Sequence, residues 1–382
     1  MRVDVGNLPA KREQVPPPRR ERLLRILSVL GSLQGYIGLV LIVGYGILSK
    51  GDIFWNGTNL TNAVGAFASR GILAVGETLV ILTGGIDLSV GSVLGFCSMT
   101  AALLLTTRNL NPVVIVLISM VVGALFGFCN GAAVAKLRIQ SFVVTLAMLS
   151  IARGLDRELS NNVSVGTQIA TANGHLTPNS DAFQLLGTPG HNLFANISLP
   201  ILGTTGIYYP VLAFIIACIV FQFVLARTSF GRHIYAVGGN ETAARLSGVN
   251  VTLIKIAVFT LAGMLAGFAG PIDAAYSASA DPLAGQSFEL DAIAAAVIGG
   301  ASLAGGKGTI IGTLVGALIL TLLDNILGLN AVSDNLQLVI KGLIVVVAVV
   351  LQRPGIFTAA FSAVHPIVSR LRPERRKTTD SD

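Results

Sequence analysis

The sequence predicts an all-α, polytopic membrane protein with about 10 transmembrane segments and both termini cytoplasmic. Three observations carry this. Apolar residues make up 53% of the 382 and charged residues only 12%, about half the roughly 25% charge of an average soluble chain. Apolar stretches near the ~20 residues that cross a bilayer recur along the whole length. Lys and Arg gather at the two ends and in alternate connections, as the positive-inside rule requires. The 43 glycines suit helices packed backbone to backbone in lipid. Intrinsic disorder, collagen, coiled coil and a disulfide scaffold are excluded.

Residues 1–22 form a basic tail with Lys11, Arg12, Arg19, Arg20 and Arg22; its run of prolines predicts disorder. It lacks a small-residue cleavage site after a short apolar core, so it is not read as a cleaved signal peptide. Residues 23–355 form the transmembrane domain. Residues 356–382 form a second basic tail with Arg370, Arg372, Arg375, Arg376 and Lys377. No aromatic residues interleave with these charges, so the net charge of +7 anchors the chain to a bilayer and does not imply nucleic acid.

Apolar segments fall at 24–48, 62–84, 87–107, 112–135, 141–159, 208–226, 254–275, 291–304, 308–328 and 335–352. Two are irregular. Segment 62–84 carries Glu77 and ends in Gly84-Gly85, and segment 291–304 is short and broken by glycine. Interrupted spans mark backbone that lines a cavity, because unpaired amides cannot face lipid. The connection at 160–208 holds no Lys or Arg between Asn161 and Tyr209, and neither does 276–290, so both belong outside. Lys136, Arg138, Arg227, Arg232, Arg245 and Lys255 belong inside. Arg108, Arg153 and Arg157 are exceptions near outer helix ends, where long side chains are expected to snorkel.

The strings GGIDLSVG (84–91) and GGASLAGG (299–306) suggest a weak internal repeat, with chance similarity in a glycine-rich chain as the alternative. Gly123, Gly127 and Gly131, and likewise Gly308, Gly312 and Gly316, recur every four residues. Each set is read as one helical face where backbones approach. Cys97, Cys129 and Cys218 sit in apolar runs and read as small buried hydrophobes. His175, His191, His233 and His365 share no metal-ligand spacing, so no metal is expected. The string AGGKGT at 304–309 fails as a phosphate loop, because Ala301 and Gly308 occupy the positions that need Gly and a hydroxyl. No catalytic set is expected and no cofactor in this chain.

Charge inside a membrane is expensive and usually functional or paired. Glu77 lies within the second segment and Asp87 in the break after it, followed by Ser89 and Ser92. Either Asp87 or Ser89 as a helix N-cap is the plainer reading; lining a polar path is the other. Asp273, Glu289 and Asp291 are expected to rim the outer connection. Glu77, Asp87, Ser89, Glu289 and Asp291 are therefore the candidate path or gate residues.

The stretch 227–255 is too long for a simple connector, since such links usually run about 2–8 residues. Gly238-Gly239-Asn240 reads as a turn. Glu241 to Leu246 reads as a short helix capped by Asn240, with Glu241 favourable to its dipole and Gly248 its stop. A short capped helix between two spans suits a docking knob.

Three motifs then carry a resemblance: TLVILTGGIDLSVGS (78–92), GRHIYAVGGNETAARLSGVNV (231–251) and ELDAIAAAVIGGASLAGGKGT (289–309). They resemble the permease subunits of bacterial ribose/xylose/galactose-type ABC importers, from about Asn59 to Gln352. The resemblance implies a vitamin-B12-permease-like helical fold in the bacterial inner membrane. It implies pairing with a second permease copy around a central path, two ATPase domains that bind ATP and Mg, and an extracytoplasmic sugar-binding protein. It also implies that Gly238, Gly239, Asn240, Glu241, Ala243, Ala244 and Gly248 form the coupling segment, with Glu241, Ala243 and Ala244 at the ATPase. The charged N-terminal extension and the long 160–208 connection depart from the family pattern. An ion- or proton-coupled secondary transporter is the alternative, resting on Glu77 and Asp87.

Overall fold

The computed structural model describes residues 18–351 apart from 172, 188–191 and 200–202; side chains are described over 35–187 (except 172) and 208–350. Residues 1–17 and the whole C-terminal basic tail, 356–382, lie outside the described residues. Helix α1 (Pro18–Phe54) begins within the basic cluster, with Pro18 in the first turn, where its missing N–H costs nothing. It breaks at Gly51 (φ 51°), a left-handed residue that folds Phe54 back onto Gly46.

The other spans follow in order. They are α2 (Gly57–Leu82), α3 (Val90–Arg108), α4 (Pro112–Lys136) and α5 (Ser141–Ser160). A short strand β1 (Val165–Gly166), helix α6 (Pro178–Gln184) and the hairpin β2 (Asn192–Leu199) and β3 (Gly203–Tyr208) make up the long connection. Then come α7 (Tyr209–Arg227), α8 (Ser229–Gly239), α9 (Glu241–Leu246) and α10 (Val251–Tyr276). Strand β4 (Ser279–Ala280), α11 (Phe288–Ile298), α12 (Ile310–Leu329) and α13 (Asp334–Leu351) complete the described chain. Polar caps set several starts: Asn56, Asn111, Thr228, Asn250 and Thr309 each accept a backbone N–H of the following turn.

Each of the ten apolar segments contains a helix among the described residues. Among the described residues, seven helices are long and apolar enough to cross a membrane. Segment 62–84, irregular in sequence, is the centre of the fold: 83% of the apolar window of α2 is buried, against 28% for α4. Its Glu77 is tolerated because protein, not lipid, surrounds it. Segment 291–304 is a half-length helix, α11, followed by irregular backbone up to Thr309. The exposed apolar faces belong to the outer helices, for example Val121, Leu125 and Phe128 on α4. Apolar surface of that extent on an outer ring is lipid-facing.

Glycines decide the closest approach. A Cβ on Gly123 would collide with backbone at Gly263 and Gly267 of α10, one on Gly127 with Phe259 and one on Gly131 with Ile256. Helices α4 and α10 therefore touch along their main chains. Gly312 and Gly316 meet Gly299 and Ala295 in the same way, so α12 lies against α11. Gly308 does not share that face. It precedes α12, has φ 143°, and packs on Ala301.

The connection after α5 is tied to the bundle at several points, among them Tyr208, whose hydroxyl donates to Asn62 Oδ1 of α2 at 2.7 Å. Strand β1 pairs antiparallel with β4, Val165 opposite Ala280, and Phe183 of α6 is fully buried beside Met99, Leu105, Ile115 and Ala275. Thr167, Ser180 and Gln184 form a buried hydrogen-bonded set beneath it. Of the cysteines, Cys97 and Cys218 are buried, whereas Cys129 is exposed on the apolar face of α4. The periodicity that put Gly127 and Gly131 inward turns position 129 outward.

Candidate functional site: a glycine junction and two intramembrane polar clusters

Helix α9 begins where α8 stops. Gly238 and Gly239 are the last helical residues of α8, not a turn; the break is Asn240 in extended backbone (φ −159°). Asn240 Oδ1 accepts the Ala243 N–H at 2.9 Å. At the far end, the Val249 N–H reaches Ala244 O and the Gly248 N–H reaches Arg245 O, both at 3.0 Å, with Gly248 left-handed (φ 85°). This is a Schellman stop, which glycine makes without strain. Six residues are too few to hold a helix alone; caps at both ends and an ion pair hold this one. Glu241 bonds Lys255 of α10 at 2.7 Å and Arg245 at 3.0 Å. The Lys255 hydrogen bond, foremost, holds the Glu241 carboxyl below the ordinary range.

Ala244 corrects the sequence reading. It is 5% exposed and packs into the main core of this chain, so it does not present itself to a partner. The free face carries Thr242, Ala243 and Leu246, the last 84% exposed. Leu246 escaped attention because a leucine in a short amphipathic helix reads as the anchor, and here the smaller Ala244 is the anchor.

Where α8 ends, three glycine pairs converge. A Cβ at Gly238 would strike the carbonyl oxygen of Leu82, the last residue of α2, and lie 2.6 Å from Gly306 N. Gly306 N–H donates to that same Leu82 carbonyl at 3.0 Å. Gly305 (φ 88°) and Gly306 (φ 71°) face Gly84 and Gly239 at about backbone contact. Tyr235 of α8 adds a hydroxyl bond to Gly308 O at 2.8 Å. The two glycine-rich strings singled out in the sequence thus touch each other and the helix leading into α9. They differ as repeats: the left-handed glycine is Gly84, first of its pair, in one and Gly300, second of its pair, in the other.

The predicted path residues separate into groups. Glu77 and Asp87 are fully enclosed near the first break. Glu77 Oε1 accepts the Asp87 N–H at 3.1 Å, an amide that the break would otherwise strand. Asp87 Oδ1 accepts both the N–H and the hydroxyl of Ser89, at 2.8 and 2.6 Å, and Asn130 of α4 donates to Ser89 Oγ at 2.9 Å. Ser89 occupies the cap position of α3 without capping it, because its hydroxyl is spent on Asp87. Asp87 supplies the local turn bond instead.

Asp273, Glu289 and Asp291 do not form a rim. Asp291 is buried and lies 3.4 Å from Arg70 of α2 and 3.4 Å from Lys341 of α13. Asp324 of α12 completes the set, 3.5 Å from Arg70 and 2.9 Å from Lys341. The Arg70 guanidinium also stacks over Phe288, 4.4 Å from the ring centre. Asp273 accepts from Ser69 at 3.2 Å. Glu289 turns away to α3, where its carboxylate abuts Gly91. Arg153 does not snorkel: its guanidinium donates to Ala284 O at 2.6 Å and Pro282 O at 3.3 Å, tying α5 to the segment before α11. Among the described residues no group of three or more His, Cys, Asp or Glu is placed to hold a metal.

Enclosed broken helices, buried mixed charge and a capped helix held outside the bundle define a multi-pass membrane transport component, not a soluble catalyst. Residues 59–349 match the family described as branched-chain amino acid transport system / permease component. The chain belongs to that family. It is 43% identical over 311 residues to the ribose import permease protein of Escherichia coli K12, covering 81% of this chain and 90% of that one. It is 39% identical over 328 residues to the ribose import permease protein of Bacillus subtilis, covering 86% and 94%. Against the xylose transport system permease protein of Haemophilus influenzae the figures are 34% over 358 residues, 83% and 96%. No solved structure matches the chain.

Proposed function

We propose that this chain is the transmembrane permease subunit of an ATP-binding-cassette importer that moves a monosaccharide, a pentose or hexose, across a bacterial inner membrane. The observation that carries the reading is identity with ribose import permeases across nine tenths of their length. In this reading the chain has ten spans in the vitamin-B12-permease-like arrangement, with both termini and α9 in the cytoplasm and β1, α6 and β4 outside. It pairs with a second copy or a close relative. It binds no nucleotide; a partner ATPase binds ATP and Mg, and an extracytoplasmic binding protein delivers the sugar.

The coupling segment 238–248 seats α9 on that ATPase through Ala243 and Leu246, while Glu241 holds it to α10 and Ala244 holds it to the core. The glycine junction behind it passes ATPase movement to the end of α2 and to the loop before α12. Glu77, Asp87 and Ser89 brace the first break beside that junction. A secondary transporter, coupled through Glu77 and Asp87, fits less well: Glu77 Oε1 and Asp87 Oδ1 are engaged in holding the break.

The test is import in vesicles that hold this chain, its ATPase and its binding protein, with D-ribose, D-xylose and the hexose D-galactose as probes. ATP inside the vesicles should drive uptake, and an ATPase-dead partner should abolish it. Uptake that ignores ATP and follows an imposed proton gradient would sink the proposal in favour of the secondary transporter.

A further inference from the structure

Where α4 passes into α5, a cleft of about 350 Å³ opens against α9 and α10. Its size falls within the roughly 300–1,000 Å³ of small-molecule sites. Four charged side chains line it: Arg138 from the α4–α5 connection, Glu241 and Arg245 from α9, and Lys255 from α10. Three cations against one carboxylate leave the cleft with a formal charge of +2.

That charge is not spent within the chain. Glu241 serves both Arg245 and Lys255, taking Nη2 of one at 3.0 Å and Nζ of the other at 2.7 Å. A guanidinium carries five donors and an ammonium three, so most of theirs go unused. The Arg138 side chain is exposed and makes no hydrogen bond or ion pair among the described residues. Neutral groups add further donors. Gln140 and Ser141 are the cap position and first residue of α5, a 20-residue helix without a side-chain cap bond. Val251 and Thr252 open α10, which runs 26 residues. Each helix start leaves N–H groups without intrahelical partners and a positive dipole end. The Ser141 hydroxyl accepts the Ile86 N–H at 3.2 Å and keeps its own proton to donate.

Donors in excess of acceptors, with positive charge supplied by three separate elements, suit a tetrahedral oxyanion. They suit a neutral sugar badly, since its hydroxyls need acceptors as well. The volume leaves room for a group esterified to that oxyanion. We infer that this cleft binds a phosphate group, held by Arg138, Arg245, Lys255 and the start of α5. Bound there, phosphate ties the α4–α5 connection to α9 and competes with Glu241 for two cations, so its occupancy sets how firmly α9 is seated. A soluble anion and an anionic lipid headgroup share this chemistry, because helix N-termini and basic clefts between spans attract both. The inference does not rest on the importer reading.

The test uses the full chain lacking Cys97, Cys129 and Cys218 and carrying Ile139→Cys, an exposed apolar position on the cleft wall. The chain sits in phosphatidylcholine vesicles and is labelled with the permeant reagent N-ethylmaleimide. Inorganic phosphate on both sides should slow labelling several-fold relative to chloride at equal ionic strength. A second arm omits inorganic phosphate and replaces part of the phosphatidylcholine with phosphatidylglycerol. Protection by inorganic phosphate assigns the cleft to a soluble anion; protection by phosphatidylglycerol alone assigns it to a lipid headgroup. Thr242→Cys, on α9 but off the cleft wall, should respond to neither. Arg138→Asn removes the free cation and keeps a residue that tolerates the left-handed backbone there (φ 57°). The concentration of protecting anion needed should then rise about tenfold, the equivalent of one hydrogen bond to a charged group. Lys136→Asn, at the exposed end of α4 and off the cleft wall, should leave protection unchanged. The inference is overturned if neither anion protects position 139, if position 242 is protected equally, or if Arg138→Asn changes protection no more than Lys136→Asn does.

Discussion

Ala244 and Leu246 stand two positions apart on α9 and face opposite ways, one 5% and the other 84% exposed. Their substitutions should therefore fail differently. Ala244→Arg overpacks the permease's own core, a penalty of about 1–3 kcal/mol before the buried charge is counted. It should lower the melting temperature and the yield of folded chain. Leu246→Asp leaves that core untouched and should preserve thermal stability while weakening ATPase capture about tenfold or more, as loss of an interface anchor does. Pull-down and thermal melts on both variants check the pair. Capture unaffected by Leu246→Asp would remove α9 from the interface.

Glu241 belongs to the same scale and carries a pH sign. Its folded carboxyl lies below the ordinary range, so its pairing stabilises α9 fully above that range and is lost only as pH falls through the lower folded value. The side chain is 44% exposed, so the contribution is modest, about 0.5 kcal/mol. Glu241→Gln should flatten that acid limb and leave stability at neutral pH nearly unchanged, as melts across an acid pH series would record.

At the scale of elements, glycine decides which helices touch through their backbones. Gly238 and Gly239 are adjacent, both helical, and only one is crowded: a Cβ at Gly238 collides with Leu82, while one at Gly239 meets nothing within 4 Å. Gly238→Ala should push α8 off the end of α2 and depress sugar-stimulated ATP hydrolysis in the assembled transporter. Gly239→Ala should be neutral or stabilising, since alanine favours a helix by about 1 kcal/mol over glycine. Equal effects from the two would mean that the junction transmits nothing. Along α4, Gly127→Leu drives a side chain into Phe259 of α10 and should cost folded protein before it changes transport per molecule. Normal accumulation of Gly127→Leu with altered sugar preference would contradict that.

For the whole molecule the prediction is orientation. His175→Cys and Thr242→Cys, each in a chain lacking the native cysteines, should react with an impermeant reagent from opposite sides of the membrane, position 242 from the cytoplasm. Labelling of both from one side would overturn the topology. The sequence alone determined the class, because a chain with 12% charge and repeated apolar runs has no other solvent than lipid. It also determined α9, whose Asn240 cap and Gly248 stop act over a few residues and need no distant partner. It misplaced what depends on packing. Whether Ala244 or Leu246 faces out, whether Arg153 snorkels or binds the Ala284 carbonyl, and whether Asp291 sits on a rim or between Arg70 and Lys341 are set by helices far apart in the chain. The convergence of Gly238, Gly305 and Gly306 was likewise invisible. Each pair looks locally like any loop glycine, and only the tertiary structure decides that three of them must make room for one another's backbones.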